Sequence, residues 1–424
     1  MRVAAALVAA VCLSAQQAAL PRALDTFDEA WAIVNRTYYD PSFKGVDWDA
    51  ARDALRPEAA RAQTPDELRA VIGRLLARLG DSHFAIMPGS ATTADDMVDR
   101  SGSPGFDVRA WGDSLLVVHV DAGSPAQEAG LRAGDTIVAI DGRPTSSLGA
   151  TLPDDIDARV RALEIWRAAM MRLRGPSGSR VGVSLARDGS TRLLEIARVA
   201  EPGQTIMLGN LPPLKLRVDV RAVETPSGGE AGVIGFNIWM AAADAQVAGA
   251  VDRFRGARGI VLDLRGNPGG LAGMIMGISG HFFDTRTALG TMKTRTSELT
   301  FFANPRTSRP DGTPVDVYDG PVAILIDGLT GSASECFAGG MQAVGRARVF
   351  GTTSMGQALP ASFARLPNGD TLLHAIADFV TADGTRLEGR GVVPDEEVPL
   401  DPAALASGRD PVLDAALAWI DRER

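Results

Sequence analysis

Residues 22–90 place apolar side chains at helical spacing among Ala, Arg, Asp and Glu. Thr26-Phe27-Asp28-Glu29 reads as a helix start, a hydroxyl cap followed by acidic residues in the first turn. Thr64-Pro65-Asp66-Glu67 reads the same way before a second helix, whose Leu68, Val71, Leu75, Leu76 and Leu79 share one face. Gly80 follows where a C-cap belongs. Residues 90–103, rich in Gly, Ser, Thr and Asp, read as a linker. Beyond them the alternation predicts strands over 106–108 and 114–120. Ser124-Pro125 predicts a capped short helix with Pro at its first position, Gly130 stops it, Gly134-Asp135 turns, and a strand runs through Ile140. Residues 145–172, with Leu163, Trp166 and Met170, read as an insertion or extended helix, followed by strands at 180–186 and 192–198.

From about residue 230 the pattern changes again. Apolar strands at 231–238, 259–264 and 322–326 alternate with helices at 241–254, 269–282 and 332–344. Continuous apolar strands between helices imply a largely parallel sheet covered on both faces. Residues 284–320 are polar and turn-rich and read as a long surface loop. The fold class is therefore α/β and multidomain: a helical domain over 20–92, a β-rich domain over 93–200, an α/β core over 201–402 and a C-terminal helix over 403–424. A length of 424 residues suits three domains of about 150 residues each.

Composition narrows the function classes. A formal charge of −9 argues against a nucleic-acid or anionic-membrane binder. Four histidines and two cysteines leave almost nothing for a Cys/His metal site, and no metal or organic cofactor is expected. Met1-Arg2 and the short apolar run from Val3 to Leu13 read as a secretory signal peptide over 1–19, cleaved near Ala15–Ala19. No other stretch is long and apolar enough to span a bilayer, so the mature chain is expected to be periplasmic or secreted. Cleavage would remove Cys12 and leave Cys336, whose apolar neighbours point to burial.

Three segments carry candidate chemistry. In the first, the apolar run 324–326 leads through Asp327-Gly328-Leu329-Thr330-Gly331 to Ser332 at a helix start. A serine there meets unpaired backbone N–H groups and the positive end of the helix dipole, which suits a nucleophile beside an oxyanion site. The same residues suit a plain N-cap, with Glu335 closing a capping box. In the second, Asp263-Leu264-Arg265-Gly266-Asn267-Pro268-Gly269-Gly270 runs from a strand into glycines, and Gly270 or Gly269 could offer an oxyanion N–H. A structural turn or a phosphate loop is the alternative, the latter lacking its Gly-Lys-Ser/Thr signature. In the third, His83 follows Gly80-Asp81-Ser82, as a general base or a structural histidine. His119, His281 and His374 read as structural.

Residues 100–200 resemble a PDZ domain of the circularly permuted bacterial kind, through Ser124-Pro125-Ala126, Gly130-Leu131-Arg132-Ala133-Gly134-Asp135 and Ile140-Asp141-Gly142. The resemblance implies binding of polypeptide C-termini by strand addition, with the carboxylate at Pro104-Gly105-Phe106. Five ordered blocks then span the chain: Leu79-Gly80-Asp81-Ser82-His83, the PDZ run, the Asp263–Gly270 run, Gly331-Ser332-Ala333-Ser334-Glu335, and Leu387-Glu388-Gly389-Arg390-Gly391-Val392-Val393-Pro394-Asp395. Together they resemble the C-terminal processing (tail-specific) serine peptidases and their relative, tricorn protease. That resemblance implies a crotonase-like (ClpP-like) core, Ser332 as nucleophile, and Ala333 and Gly270 as oxyanion donors. The family's Ser/Lys branch would place its lysine at position 357, which is Gln357, and the glutamine that orients that lysine would fall on Ala361. The tricorn branch instead implies His83 as base, Ser82 positioning it, and Glu388 completing the network. The chain reads as a tail-specific protease of exported, unfolded or tagged proteins; a catalytically silent PDZ scaffold on the same fold is the alternative.

Overall fold

The computed structural model describes residues 23–89, 101–187, 189–207, 213–309 and 311–423. The leader-like start with Cys12 and most of the 90–103 linker lie outside these residues. The chain divides into two compact units: one takes residues up to 92 with 291–300 and 357–380, the other takes the remainder.

In the first unit, helices 23–37, Trp48–Arg61 and Pro65–Leu76 are joined by short turns. Thr64 caps the third helix by accepting from the Glu67 N–H, and Gly80 ends its final 3-10 turn at φ 65°, both as expected. Thr26 is no cap: the helix is already under way at residue 23, and Thr26 is buried inside it. One core holds Phe27, Val34, Tyr38, Trp48, Ile72 and Leu75 with Leu359, Leu366 and Leu372 from the later segment. The strand Ala85–Met87 pairs antiparallel with Thr371–Ala375, which pairs antiparallel with Ala361–Arg365. The recruited turn 294–297 is tied in by Arg295, which donates to the Tyr38 and Asn35 carbonyls. The expected surface loop over 284–320 therefore contains two strands, Thr287–Thr294 and Glu298–Ala303. Their alternation is masked in sequence by threonines and charges that read as polar.

In the second unit, the sheet of the region resembling PDZ is antiparallel and runs Phe106–Trp111, Ser114–Val120, Thr136–Ile140, Arg180–Arg187 and Ser190–Ala197, with the short strand Arg143–Pro144 also paired to Thr136–Ile140. Gly102–Ser103, expected in the linker, is a short strand paired with Val199–Ala200. The 145–172 segment, expected as an insertion or extended helix, leads into the helix Ala158–Leu173, whose Ala169 and Leu173 pack with Phe106 and Val108 of the edge strand. Ser124 caps the short helix Pro125–Glu128 as expected.

The core sheet runs Val218–Glu224, Glu230–Phe236, Gly259–Asp263, Val322–Ile326, Arg348–Gly351 and Glu396–Glu397. Its first pair is antiparallel and the rest are parallel. The strand Val322–Ile326 is buried at every position, as its unbroken apolar run requires. One face is covered by the helix Pro411–Arg422, through Val412, Ala416 and Ile420 on Val261, Ala323 and Phe350. The C-terminal segment is two helices, since Pro402–Ala406 ends before Asp410 caps the second. The helix expected over 269–282 begins only at Met274, because Gly269 and Gly270 hold φ of 103° and 141°, outside helical space.

A buried ion pair fixes the first unit. Asp370 accepts from Arg69 Nε and Nη2, both at 2.9 Å, and from the Gly89 N–H at 2.9 Å. Burial pushes its carboxyl up, but Arg69 and the N–H donors outweigh that and hold it below its usual range. Arg69→Met should lower unfolding free energy by about 3 kcal/mol in a urea titration, because a buried carboxylate loses its partner. With the folded pKa depressed, that difference is full above about pH 4 and closes as the pH falls further.

Candidate active site

The turn after the buried strand Val322–Ile326 is stitched to the glycine loop. Asp327 Oδ1 accepts from the N–H groups of Gly266 at 2.9 Å and Leu329 at 3.0 Å. Its Oδ2 accepts from Arg109 Nε at 2.8 Å. Burial would raise this carboxyl, and the Arg109 charge and the Gly266 N–H bring it below its ordinary value. The Thr330 hydroxyl, fully buried, donates to the Leu264 carbonyl at 2.9 Å, and the Gly331 N–H donates to the Asn267 carbonyl at 3.0 Å. Two loops that leave adjacent parallel strands thus become one body.

Ser332 follows at φ 52°, ψ −119°, just before the helix Ala333–Ala343. A side chain in so sparse a region costs about 1–3 kcal/mol and persists only where its surroundings enforce it. The turn leaves no room for a side chain at position 269: a Cβ on Gly269 would lie 2.6 Å from Ser332 Cβ and 2.9 Å from the Ala333 nitrogen. Glu335 holds the turn directly. Fully buried, its Oε2 accepts from the Ser332 N–H at 3.0 Å, the return half of a capping box. Its Oε1 accepts from Ser354 Oγ at 2.5 Å and from the Gly356 N–H at 2.7 Å. The N-cap geometry is present, then, but Glu335 also reaches beyond the helix, which a simple cap has no need to do.

The backbone donors sort themselves. Gly269 gives its N–H to Asn267 Oδ1 at 3.0 Å, and Leu271 gives its own to the Trp239 carbonyl at 2.8 Å. The N–H groups of Gly270 and Ala333 have no hydrogen-bond acceptor among the described residues. Among the described residues, then, the Gly269 N–H is engaged, whereas those of Gly270 and Ala333 have no acceptor.

Glu388 is buried on the turn expected to carry it. That turn is bonded to the segment Glu335 holds: the Gly389 N–H donates to the Gly356 carbonyl at 2.9 Å, and the Val392 N–H donates to Ser354 Oγ at 2.7 Å. Ser332, Ala333, Gly270 and the Glu388 turn therefore lie in one unit, joined through Glu335. Ser82 and His83 belong to the other unit. There Ser82 Oγ lies 2.7 Å from His83 Nδ1, and His83 holds φ 60°. Asp81, just before them, is buried and accepts from Tyr38 at 2.5 Å, Tyr39 at 2.8 Å and Lys44 at 2.7 Å. Burial and Asp81 together push the Tyr38 hydroxyl well above its usual pKa. The three lysines of the chain have partners of their own: Lys44 on Asp81, Lys215 on Thr205 and Lys293 on Glu298. His281 and His374 are pushed down to about 4 by burial and are neutral at pH 7. His119 pairs with Asp121 at 3.3 Å on the PDZ surface.

The carboxylate loop expected at Pro104-Gly105-Phe106 leads into the edge strand. Gly105 holds φ 84°, and a Cβ there would meet Ser124 Cβ at 2.4 Å. Among the described residues, the strand Phe106–Trp111 has a strand neighbour on one side only. It lines a cleft of about 1240 Å³ with the helix Ala158–Leu173, through Arg109, Trp111, Leu163 and Trp166, and the cleft extends to Asp327 and Thr353 of the core. Sequence reasoning missed two links across it. Arg109 bonds Asp327, and Arg159 donates to the Arg390 carbonyl at 2.6 Å and the Gly389 carbonyl at 2.7 Å. Nothing in a single sequence marks an arginine whose partners are carbonyls 230 residues away.

A strained serine at a helix start, beside two backbone N–H groups with no acceptor among the described residues on an α/β core, is the arrangement a serine hydrolase site requires. Comparison with known proteins agrees. Residues 230–398 match Peptidase family S41, 24–77 match the Tricorn protease C1 domain and 116–158 match a PDZ domain. The chain is 30% identical over 407 residues to a chloroplastic C-terminal processing peptidase of Tetradesmus obliquus, covering 89% of this chain and 77% of that protein. It is 27% identical over 411 residues to a carboxyl-terminal-processing protease of Picosynechococcus, covering 94% and 90%. The solved structure of the photosystem II D1 C-terminal processing protease aligns with a TM-score of 0.59 at 25% identity, covering 93% of this chain and 96% of that one. The chain belongs to the C-terminal processing serine peptidases, peptidase family S41.

Gly269→Ala should reduce peptide cleavage at least about 100-fold, since its Cβ cannot coexist with Ser332 Cβ at 2.6 Å and displacement near an ångström carries that cost. The steady-state rate of the purified variant checks it.

Proposed function

We propose that this peptidase cleaves exported unfolded or tagged proteins, recognised by their C-termini, with Ser332 as nucleophile and His83 as general base. The observation that carries the reading is the Ser332 turn itself, strained and flanked by unengaged N–H groups. The lysine expected of the Ser/Lys branch is replaced by Gln357, whose amide accepts no proton from serine. Ser82 Oγ at 2.7 Å from Nδ1 supports His83 in its place: with Nδ1–H donating to Ser82, Nε2 is the basic nitrogen. The match of 24–77 to the Tricorn protease C1 domain favours the same branch. Export is supported by the leader-like first nineteen residues.

In this reading a substrate tail adds to the edge strand Phe106–Trp111, with its carboxylate at Pro104-Gly105-Phe106. Ser332 Oγ attacks the scissile carbonyl carbon while His83 Nε2 takes the hydroxyl proton. The Gly270 and Ala333 N–H groups hold the oxyanion. The tetrahedral intermediate collapses, the C–N bond breaks, and His83 returns the proton to the departing amine. Water, deprotonated by His83, then hydrolyses the acyl ester and frees Ser332. Glu388 completes the polar network that orients the pair.

Cleavage of an unfolded reporter with an apolar C-terminus tests the reading. Ser332→Ala should lower kcat/KM by at least about 10³-fold, and His83→Ala by about 10²–10⁴-fold. Full activity in His83→Ala would refute the assigned base. Tail binding without cleavage by the unaltered chain would establish the silent scaffold instead.

A further inference from the structure

We propose that Trp239 is the positioning residue of the oxyanion site, fixing the Gly270 amide against the first turn of the Ser332 helix. The inference rests on the peptidase reading above and adds a residue to it that no sequence motif marks. Trp239 stands just past the strand Glu230–Phe236 and is fully buried. Its backbone forms a parallel bridge with Gly270: the Trp239 N–H donates to the Gly269 carbonyl at 2.9 Å, and its carbonyl accepts the Leu271 N–H at 2.8 Å. In such a bridge the groups on either side of the central residue face the partner, so the central N–H faces away. Gly270 is that central residue. The bridge therefore aims its N–H off the Trp239 side and leaves it unengaged. The approach is close enough that a Cβ on Gly270 would lie 2.4 Å from the Trp239 carbonyl oxygen.

The indole completes the link. Its Nε1–H donates to Ser334 Oγ at 2.8 Å, both groups buried. Ser334 is the second residue of the helix that begins at Ala333, the other oxyanion donor. The ring is held edge-on to Phe236 at 4.9 Å and tilted against Phe337 at 5.1 Å, between the sheet and that helix. One side chain thus grips the loop of the first donor through its backbone and the helix of the second through its ring. Trp239 thereby links the two donor segments directly, beside the Asp327–Gly266 and Gly331–Asn267 bonds that tie the two loops together. An oxyanion site depends on the spacing of its donors, and misplacement of one donor is felt in the transition state more than in the bound substrate.

Trp239→Phe keeps the ring and removes the indole N–H; Ser334→Ala removes the acceptor with little risk to folding. Both, and the double variant, would be assayed for kcat and KM on the cleavable reporter, with Ser332→Ala as blank. Each single variant should lose about tenfold or more in kcat, with KM within about twofold. The double variant should lose no more than the worse single, as expected of one shared interaction. Unchanged kcat in Ser334→Ala, a KM effect alone, or losses that multiply in the double variant would overturn the proposal. If the unaltered chain does not exceed the blank, the peptidase reading fails and this proposal with it. An active unaltered chain beside unaffected variants overturns this proposal alone.

Discussion

Ser332 holds φ 52° because the chain around it permits little else. Gly269, which has no side chain, lets the glycine loop approach its Cβ closely, and the Glu335 carboxyl holds its N–H. Glu335 is fully buried, and it bonds Ser332, Ser354 and Gly356. Its consequence is geometric: the Ser332 turn, the 354–356 segment and, through Ser354, the Glu388 turn are held together. A strained serine needs that rigidity, since the strain would relax if any one of these segments drifted.

The same turn is held from the PDZ side. Arg109 on the edge strand binds Asp327, five residues before Ser332, and Asp327 in turn holds Gly266 of the glycine loop. Arg159 on the helix across the cleft binds the carbonyls beside Glu388. The walls of the cleft are therefore bonded both to the Asp327 turn and to the Glu388 turn of the core. If a substrate tail docks there as proposed, it has to accommodate these arginines.

Much of this architecture is legible in the sequence. Buried parallel strands read as unbroken apolar runs, and Val322–Ile326 emerges with its expected bounds. Caps with a local mechanism, such as Thr64 and Ser124, are also visible, because their partners lie three residues away. The Ser332 turn and the glycine loop stand out because only such residues fit positive φ and close approach. What escapes is long-range. Trp239–Ser334, Arg109–Asp327 and Arg159 with Gly389 join residues 95, 218 and 230 positions apart, and no local pattern encodes them. The late start of the helix after Gly270 escapes for another reason: apolar periodicity continues through residues whose backbone the glycines hold outside helical space.

With Gln357 standing where the resemblance would place the lysine of the Ser/Lys branch, the proposed function turns on the identity of the base. Labelling by a peptidyl phosphonate, with the adduct mapped by mass spectrometry, addresses it without requiring the natural substrate. The account predicts a single adduct on Ser332, formed at a rate that collapses in His83→Ala. An adduct elsewhere, or one on Ser332 whose rate does not depend on His83, would contradict it.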